Sequence, residues 1–265
     1  MKKNTAAENE SYDWGHLFQL VRFRVLADLR GEVSGAYAGW LWWILEPLIY
    51  LSAFYVIFDL IFQRGGPGFV GFLLCGLVFW RWFDSSIKKS AGAIMANTAL
   101  IQQAPIPKIL FPLTELAASF CRFLFVLVLF IIFLLFYKNE LTMSLLYLPI
   151  LLLAQGLLIM GAGILLAAVI PFAPDLRKLL DHAMTLGFYL SGIFFSIDEL
   201  PEAFQSWLYL NPMAVLIEQY RLVLLDGLPP QFNSIVVVAL AGLIMLGFGV
   251  RLINRYDSFY ASQIS

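Results

Sequence analysis

The sequence predicts an all-α integral membrane protein with six transmembrane helices, an N-terminal amphipathic interface helix, and two short re-entrant helices before the last span. Three observations predict it. First, 61% of the 265 residues are hydrophobic and 13% charged, with a mean hydropathy of +0.82; soluble domains carry about 25% charged residues. Second, six apolar stretches, at about 37–62, 69–90, 109–136, 143–170, 178–197 and 233–252, come close to or exceed the roughly 20 residues that a spanning helix needs. Third, the basic residues are shared unevenly between the two faces that six spans would define. The net charge of −1 decides nothing about partners.

Residues 1–11 read as a flexible N-terminus. MKKNTAAENESYDWG has two lysines but no apolar core behind them, so it is not a cleaved signal peptide. The single membrane domain then covers 12–265. It opens with the interface helix, 12–30. Taking Trp14 as origin at 100° per residue, Leu17, Phe18, Val21, Val25 and Leu29 fall within about 60° of it. Arg22 and Arg24 flank that stripe, and His16, Gln19 and Arg30 lie opposite. Such a helix suits the membrane interface, apolar side down, with the arginines snorkelling.

The spans follow. The second is interrupted by Arg81, Asp84, Lys88 and Lys89, and the fifth by Asp181 and His182. Six spans put both termini on one side. On that side fall Lys2, Lys3, Arg22, Arg24, Arg30, Lys88, Lys89, Lys108, Arg177, Lys178, Arg251 and Arg255, against Arg64, Lys138 and Arg221 on the other. Positive charge stays cytoplasmic, so both termini are expected inside.

Between the last two spans, the segment 196–226 holds two short amphipathic stretches. The second, NPMAVLIEQYRLVLLDG, has Asn211 as N-cap, Pro212 at the first helical position and Gly227 as stop. About 15 helical residues reach only some 22 Å, too short to cross. Asp198, Glu199, Glu202, Glu218 and Asp226 against Arg221 make this mouth acidic.

Charges inside the spans carry the functional reading. The stretch WLWWILEPL places Glu46 about 13 Å from an entry near Tyr37. Arg81, on the returning span, comes about 12 Å from the same face of a hydrocarbon core roughly 30 Å thick. At matching depth the two are expected to pair or to share an aqueous cavity, because each unpaired ion there costs at least about 2.5–3.5 kcal/mol. Asp84, three residues on, can pair with Arg81 along the helix, and Arg122 is a second interior charge. Most of the 24 Phe and other aromatics belong to lipid-facing surfaces or interfacial belts. The tryptophans of the first two spans, Trp40, Trp42, Trp43, Trp80 and Trp82, are the best candidates to line a path for sugars, to which a ring offers a flat apolar face.

What is absent narrows the class. Cys75 and Cys121 sit in apolar runs outside any CxxC or Cys/His cluster, which argues against a metal site or a disulfide framework. No HExxH, nucleophile–base pair or GxxxxGK[ST] is present, so an enzyme or a chain with its own ATP site is not expected.

Four pieces carry a resemblance. YAGWLWWILEPL, GFLLCGLVFWRWFDSSIKKSAGAI, NTALIQQAPIPKILFPL and SIDELPEAFQSWLYLNPMAVLIEQYRLVLLDG resemble, in order, the first span, the second span, the following loop and the outer re-entrant segment of type-2 ABC transporter permeases. The branch that exports lipid-linked polysaccharides (O-antigen, capsule, wall teichoic acid) is the most similar. The match covers about residues 14 to 255, and Glu46 before the proline departs from it. The resemblance implies a permease homodimer in the bacterial inner membrane, served by two nucleotide-binding subunits that hold ATP and Mg. By the same resemblance this chain would bind no cofactor of its own. Its partners would be a second copy, those subunits, the lipid-linked polysaccharide and membrane lipids, with no nucleic acid. The loop at Asn97, Leu100, Gln102, Gln103 and Pro105 would couple to the ATPase. Pro105, Pro107 and Pro112 would stiffen it, since each fixes its own φ. Asn211, Pro212, Glu218, Tyr220 and Arg221 would form the outer gate, and the helix carrying Trp14, Arg22 and Arg24 would guide the lipid headgroup or touch the partner. O-antigen export is the expected function. Export of capsule, teichoic acid or a small molecule is the alternative within the class. A non-ABC channel or secondary transporter is the alternative outside it, though the related halves and broken helices of a secondary transporter are not seen.

Overall fold

The structure, a computed structural model, describes residues 14–35, 41–57, 68–103, 106–138, 142–257 and 259–260, and every regular element among them is helical. Ten α-helices follow in order: α1 (Trp14–Gly35), α2 (Trp42–Tyr55), α3 (Phe69–Ala96), α4 (Thr98–Gln103), α5 (Leu110–Lys138), α6 (Leu148–Val169), α7 (Leu176–Tyr189), α8 (Glu202–Leu208), α9 (Pro212–Arg221) and α10 (Phe232–Arg255). Trp40, Pro105, and the ends of the expected first span at 37–40 and 58–62 lie outside the described residues.

Among the described residues, four segments are long and apolar enough to cross a membrane: Phe69–Ala96, Leu110–Tyr137, Met143–Phe172 and Phe232–Arg255. They correspond to the second, third, fourth and sixth expected spans. The first and fifth are represented by α2 and α7, 14 residues each, or about 21 Å of helix. The expected fifth helix over 178–197 is cut short. After Tyr189 the chain turns through Gly192, at φ +69°, and the carbonyls of Gly192 and Ile193 are taken by a side chain, Arg221, instead of by helical N–H groups.

α3 is the central post. Its most apolar window has the lowest mean hydropathy of the four, 1.3, yet 78% of it is buried; the windows of α5 and α10, at 2.8 and 2.4, are only 28% and 22% buried. The order makes sense for a bundle in lipid: apolar helices face outward and shield a more polar one, whose Asp84, Ser86 and Ser90 are buried among neighbours. Phe79 at its midpoint stacks on Tyr220 with ring centroids 3.5 Å apart and 4° between planes, and its carbonyl accepts a hydrogen bond from the buried Gln155 amide at 2.9 Å.

α6 and α10 meet along glycines. A Cβ built on Gly242 would lie 2.6 Å from the Leu157 carbonyl carbon and the Leu158 nitrogen, and one on Gly249 would lie 2.7 Å from the Leu165 nitrogen. The two backbones therefore touch, the packing that small residues permit between membrane helices. α7 is held differently. Only Leu180 of its residues is buried, and Gly187 lets it approach Trp80, whose ring a Cβ there would meet at 2.9 Å.

Candidate translocation and coupling sites

A ladder of charge runs along α2 and α3. The Arg81 guanidinium pairs with Glu46, and its other nitrogen lies 3.9 Å from Asp84. Asp84, 7% exposed, also accepts from Lys88 at 2.6 Å. Both Asp84 contacts follow from helical spacing, three and four residues apart on α3. The Arg81–Glu46 contact joins two helices, α3 and α2, as the expected pairing has it. It remains half open, with side-chain exposures of 28% and 48%. The Tyr50 ring, one helical turn on from Glu46, lies 5.6 Å below the Arg81 guanidinium.

The tryptophans divide. Trp43 is half-buried, edge-on to Phe125 at 5.9 Å. Trp80 and Trp82 are 4% and 5% exposed. Trp80 packs against Phe83 and Phe188, and Trp82 stacks on Phe123 at 4.1 Å. Trp80 therefore offers no open ring face within the chain, which corrects the expectation for it, whereas Trp82, though buried, lies in the wall of a large apolar cavity with Leu116, Phe120 and Gly156. The sequence places them on the span that proves central, and there aromatic volume fills the core. Trp42, Tyr50 and Tyr55 of α2 and Tyr189 of α7 are among the rings with an open side.

Arg122 is half-buried on α5, with Nε donating to the Ala118 carbonyl at 3.2 Å. Seven residues before it, on the same helical face, is Glu115, which the sequence reading missed. Glu115 has Lys89, Arg122 and Arg24 as cationic neighbours and Asp28 as a like charge. The seven-residue spacing was the available signal.

The described part of the turn between α3 and α5 is organised around Asn97. Asn97 ends α3, its side-chain amide donating to the Ala93 carbonyl at 2.7 Å and its own carbonyl accepting from Leu100 and Ile101 at 3.1 Å. It is thus the hinge on which α4 begins. Ile101 is buried and anchors α4; Leu100, Gln102 and Gln103 are exposed. Arg24 departs from expectation. It turns inward to donate to Asn97 Oδ1, and its guanidinium lies 5.4 Å from the Phe111 ring of α5. Arg22 stays exposed, and the Trp14 side chain lies outside the described ones. Close by, Lys108 at the start of α5 pairs with Asp257 beyond α10, Nζ to Oδ2 at 2.8 Å, another link not foreseen.

At the opposite end, α8 and α9 form the segment before α10. The Asn211 side chain accepts from the Met213 N–H at 3.0 Å and donates to the Leu190 carbonyl at 3.2 Å, so it both caps α9 and ties it to the end of α7. Pro212 opens α9; a π-helical turn over Leu222–Asp226 and Gly227 at φ +71° close it. Glu218 accepts from the Tyr209 hydroxyl at 3.3 Å. Its own burial, then the neighbouring Asp198 charge, push the Glu218 carboxyl above the ordinary range, against the pull of Tyr209 and Arg221.

Arg221 is not a charge at the mouth. It is 8% exposed. It donates to the Gly192 carbonyl at 2.7 Å, to Ile193 at 2.9 Å and to Phe72 at 3.3 Å, and its guanidinium covers the Phe72 ring at 3.3 Å. One side chain thus binds α9 to the turn after α7 and to the first turn of α3. The acidic side chains Asp198, Glu218 and Asp226 line a cavity of about 260 Å³ beside it.

Comparison with known proteins bears on these sites together. A family model described as "ABC-2 type transporter" matches residues 29–225. An O-antigen export system permease protein RfbA of Klebsiella pneumoniae is 28% identical over 251 residues, 94% of this chain and 96% of that protein. The protein of the same name from Myxococcus xanthus is 23% identical over 91% of this chain and 93% of its own length. The polysialic acid transport protein KpsM of Escherichia coli is 28% identical over 86% of this chain and 89% of its own.

Proposed function

This chain belongs to the ABC-2 type transporter family, and from that premise we propose that it is the permease of an exporter of a lipid-linked polysaccharide, O-antigen. Two copies would form the path across the bacterial inner membrane, and two ATP-binding subunits would drive it. The observation that carries this reading is the extent of the similarity. The match to an O-antigen export permease runs over 94% of this chain and 96% of the relative, so the similarity extends over nearly the whole of both chains.

The geometry supports each part. Lys88, Lys89, Lys108, Arg177, Lys178, Arg251 and Arg255 gather toward the α4 end, which favours a cytoplasmic position for it and for both termini. There α4 offers Leu100, Gln102 and Gln103 as the docking surface for the ATP-binding subunit. α2 and α7 have open faces that combine apolar rings with the charges of Glu46, Asp181 and His182, beside Arg81 of α3. Lipid is a poor neighbour for such faces; a second copy and a hydrated glycan between them are good ones. Hydroxyl-rich sugars suit the half-open Glu46–Arg81 pair and the Tyr50 ring. The segment of α8 and α9, held by Arg221, is the re-entrant gate at the outer end.

Deleting the gene from its own strain tests the reading. Loss of the O-antigen ladder from surface lipopolysaccharide, with lipid-linked glycan accumulating inside and both reversed by the gene, is expected. An unchanged surface with no accumulation would refute it. The similarity to the polysialic acid transporter, at the same 28% identity, favours capsule export as the second reading, and loss of capsule with an intact ladder would select it.

A further inference from the structure

The α3–α4 junction touches more than its own helices. Asn97 supplies three contacts at one point: its carbonyl starts α4, its side-chain N–H₂ closes α3 on Ala93, and its Oδ1 receives Arg24 from α1. Arg24 is placed to keep that contact. Val25 beside it is buried, α1 packs on α5, and the guanidinium rests against the Phe111 ring. A snorkelling arginine would lie on the outer flank of the helix, as Arg22 does. Arg24 instead spans from α1 to the residue on which α4 pivots, and stacking on an aromatic face restrains the planar group in one orientation.

We infer that Arg24 is a positioning residue through which movement of the α3–α4 junction is delivered to the amphipathic helix α1. When α4 is pushed, Asn97 moves with it, because its carbonyl is part of the first turn of α4. Arg24 then moves with Asn97, and α1 with Arg24. The cytoplasmic surface that would meet a lipid headgroup is in this way driven by the element that meets the ATPase. The inference rests on the reading of α4 as the docking helix.

The test uses the chain co-expressed with its own ATP-binding subunit in the strain that makes its glycan. Arg24→Gln is expected to leave assembly of the complex and its KM for ATP unchanged, while surface glycan falls between about 5- and 150-fold, the span typical of a lost coupling between sites. Asn97→Ala should give the same defect, and the double variant no more than either alone. Gln19→Ala, exposed on α1, should leave both readouts at wild type. In a Cys121→Ser background, bridging Arg24→Cys and Asn97→Cys with a short, membrane-permeant bifunctional thiol reagent should restore export, and a monofunctional reagent should not. Full export by Arg24→Gln, losses from the two single variants that multiply, or no rescue by the bridge would overturn the inference. If the wild-type chain assembles with no ATP-binding subunit, the docking reading fails and the inference falls with it; assembly without an effect at Arg24 sinks only the inference.

Discussion

Replacing Arg221 by methionine removes the charge and keeps most of the length. In the structure Arg221 satisfies two backbone carbonyls at short range, Gly192 at 2.7 Å and Ile193 at 2.9 Å, and a third, Phe72, at 3.3 Å. Leaving a buried acceptor without its donor costs about 1–3 kcal/mol. Counting only the two short bonds, docking of α9 onto the turn after α7 should weaken by about 2–6 kcal/mol. At 1.4 kcal/mol per tenfold, the population with this segment undocked rises at least about 25-fold. The chain contains its own reporter. Cys75 is fully buried on α3, one residue from Gly76, where an added Cβ would sit 3.2 Å from Arg221 Nη2 and 3.3 Å from the Ile193 Cα. In a Cys121→Ser background, modification of Cys75 by a small membrane-permeant maleimide should speed up by that factor in Arg221→Met. Arg221→Lys, which keeps the charge but loses the fork and the planar stack, should fall between. An unchanged labelling rate in Arg221→Met, with unchanged thermal stability in detergent, would refute the reasoning.

Glu46→Gln, which among the described residues leaves Arg81 with only Asp84 as a carboxylate neighbour, should lower glycan export; unaltered export would remove Glu46 from the transport surface. Gly242→Leu should abolish monodisperse protein in detergent, since overpacking alone costs about 1–3 kcal/mol and here the side chain meets backbone. Gly247→Leu, with nothing within 4 Å of its Cβ position, is the control that should tolerate the change. Replacing Ala99 to Gln103 by a Gly-Ser linker should abolish co-purification with the ATP-binding subunit, and retention of the subunit would move the docking surface elsewhere. Because the Glu218 carboxyl is raised in the folded chain, the folded state binds more protons than the unfolded one above the ordinary carboxylate range. Thermal stability should therefore fall as pH rises from that range through the raised folded value, and Glu218→Gln should flatten the slope; a slope of the opposite sign would contradict the assignment.

The long apolar helices were legible because a run of some 25 apolar residues has few alternatives to spanning. The Asn211 cap, Pro212 and Gly227 were legible for a local reason: each acts on backbone within a few residues of itself. The depth of Glu46 and Arg81 could be counted along two neighbouring spans, and there the structure joins them. What escaped was whatever depends on which helix is central. Trp80 and Trp82 face the core because α3 does, and periodicity along α3 cannot say whether its neighbours are lipid or protein. Arg221 was read as a surface charge for the same reason. Its carbonyl partners lie 28, 29 and 149 residues away, and backbone acceptors leave no mark in composition. Glu115 and Asp257 were overlooked as single carboxylates whose neighbours, Lys89 and Lys108, had been counted only toward the cytoplasmic charge.

The contrast between α10 and α7 has a mechanical consequence. Where two backbones are in contact through glycines, as in α6 and α10, there is no side-chain layer to shear, and the pair can only travel as one beam. Where a helix rests on one narrow line, as α7 does with Leu180 and Gly187, it can roll without breaking a hydrogen-bonded seam. A chain assembled this way has a stator and a hinged vane. Arg221 and Asn211 fasten the vane at its far end by hydrogen bonds, while at its near end the Arg177 guanidinium only packs over Gly92 of α3, so a push delivered there would act on the looser end of a lever pivoting on Gly192.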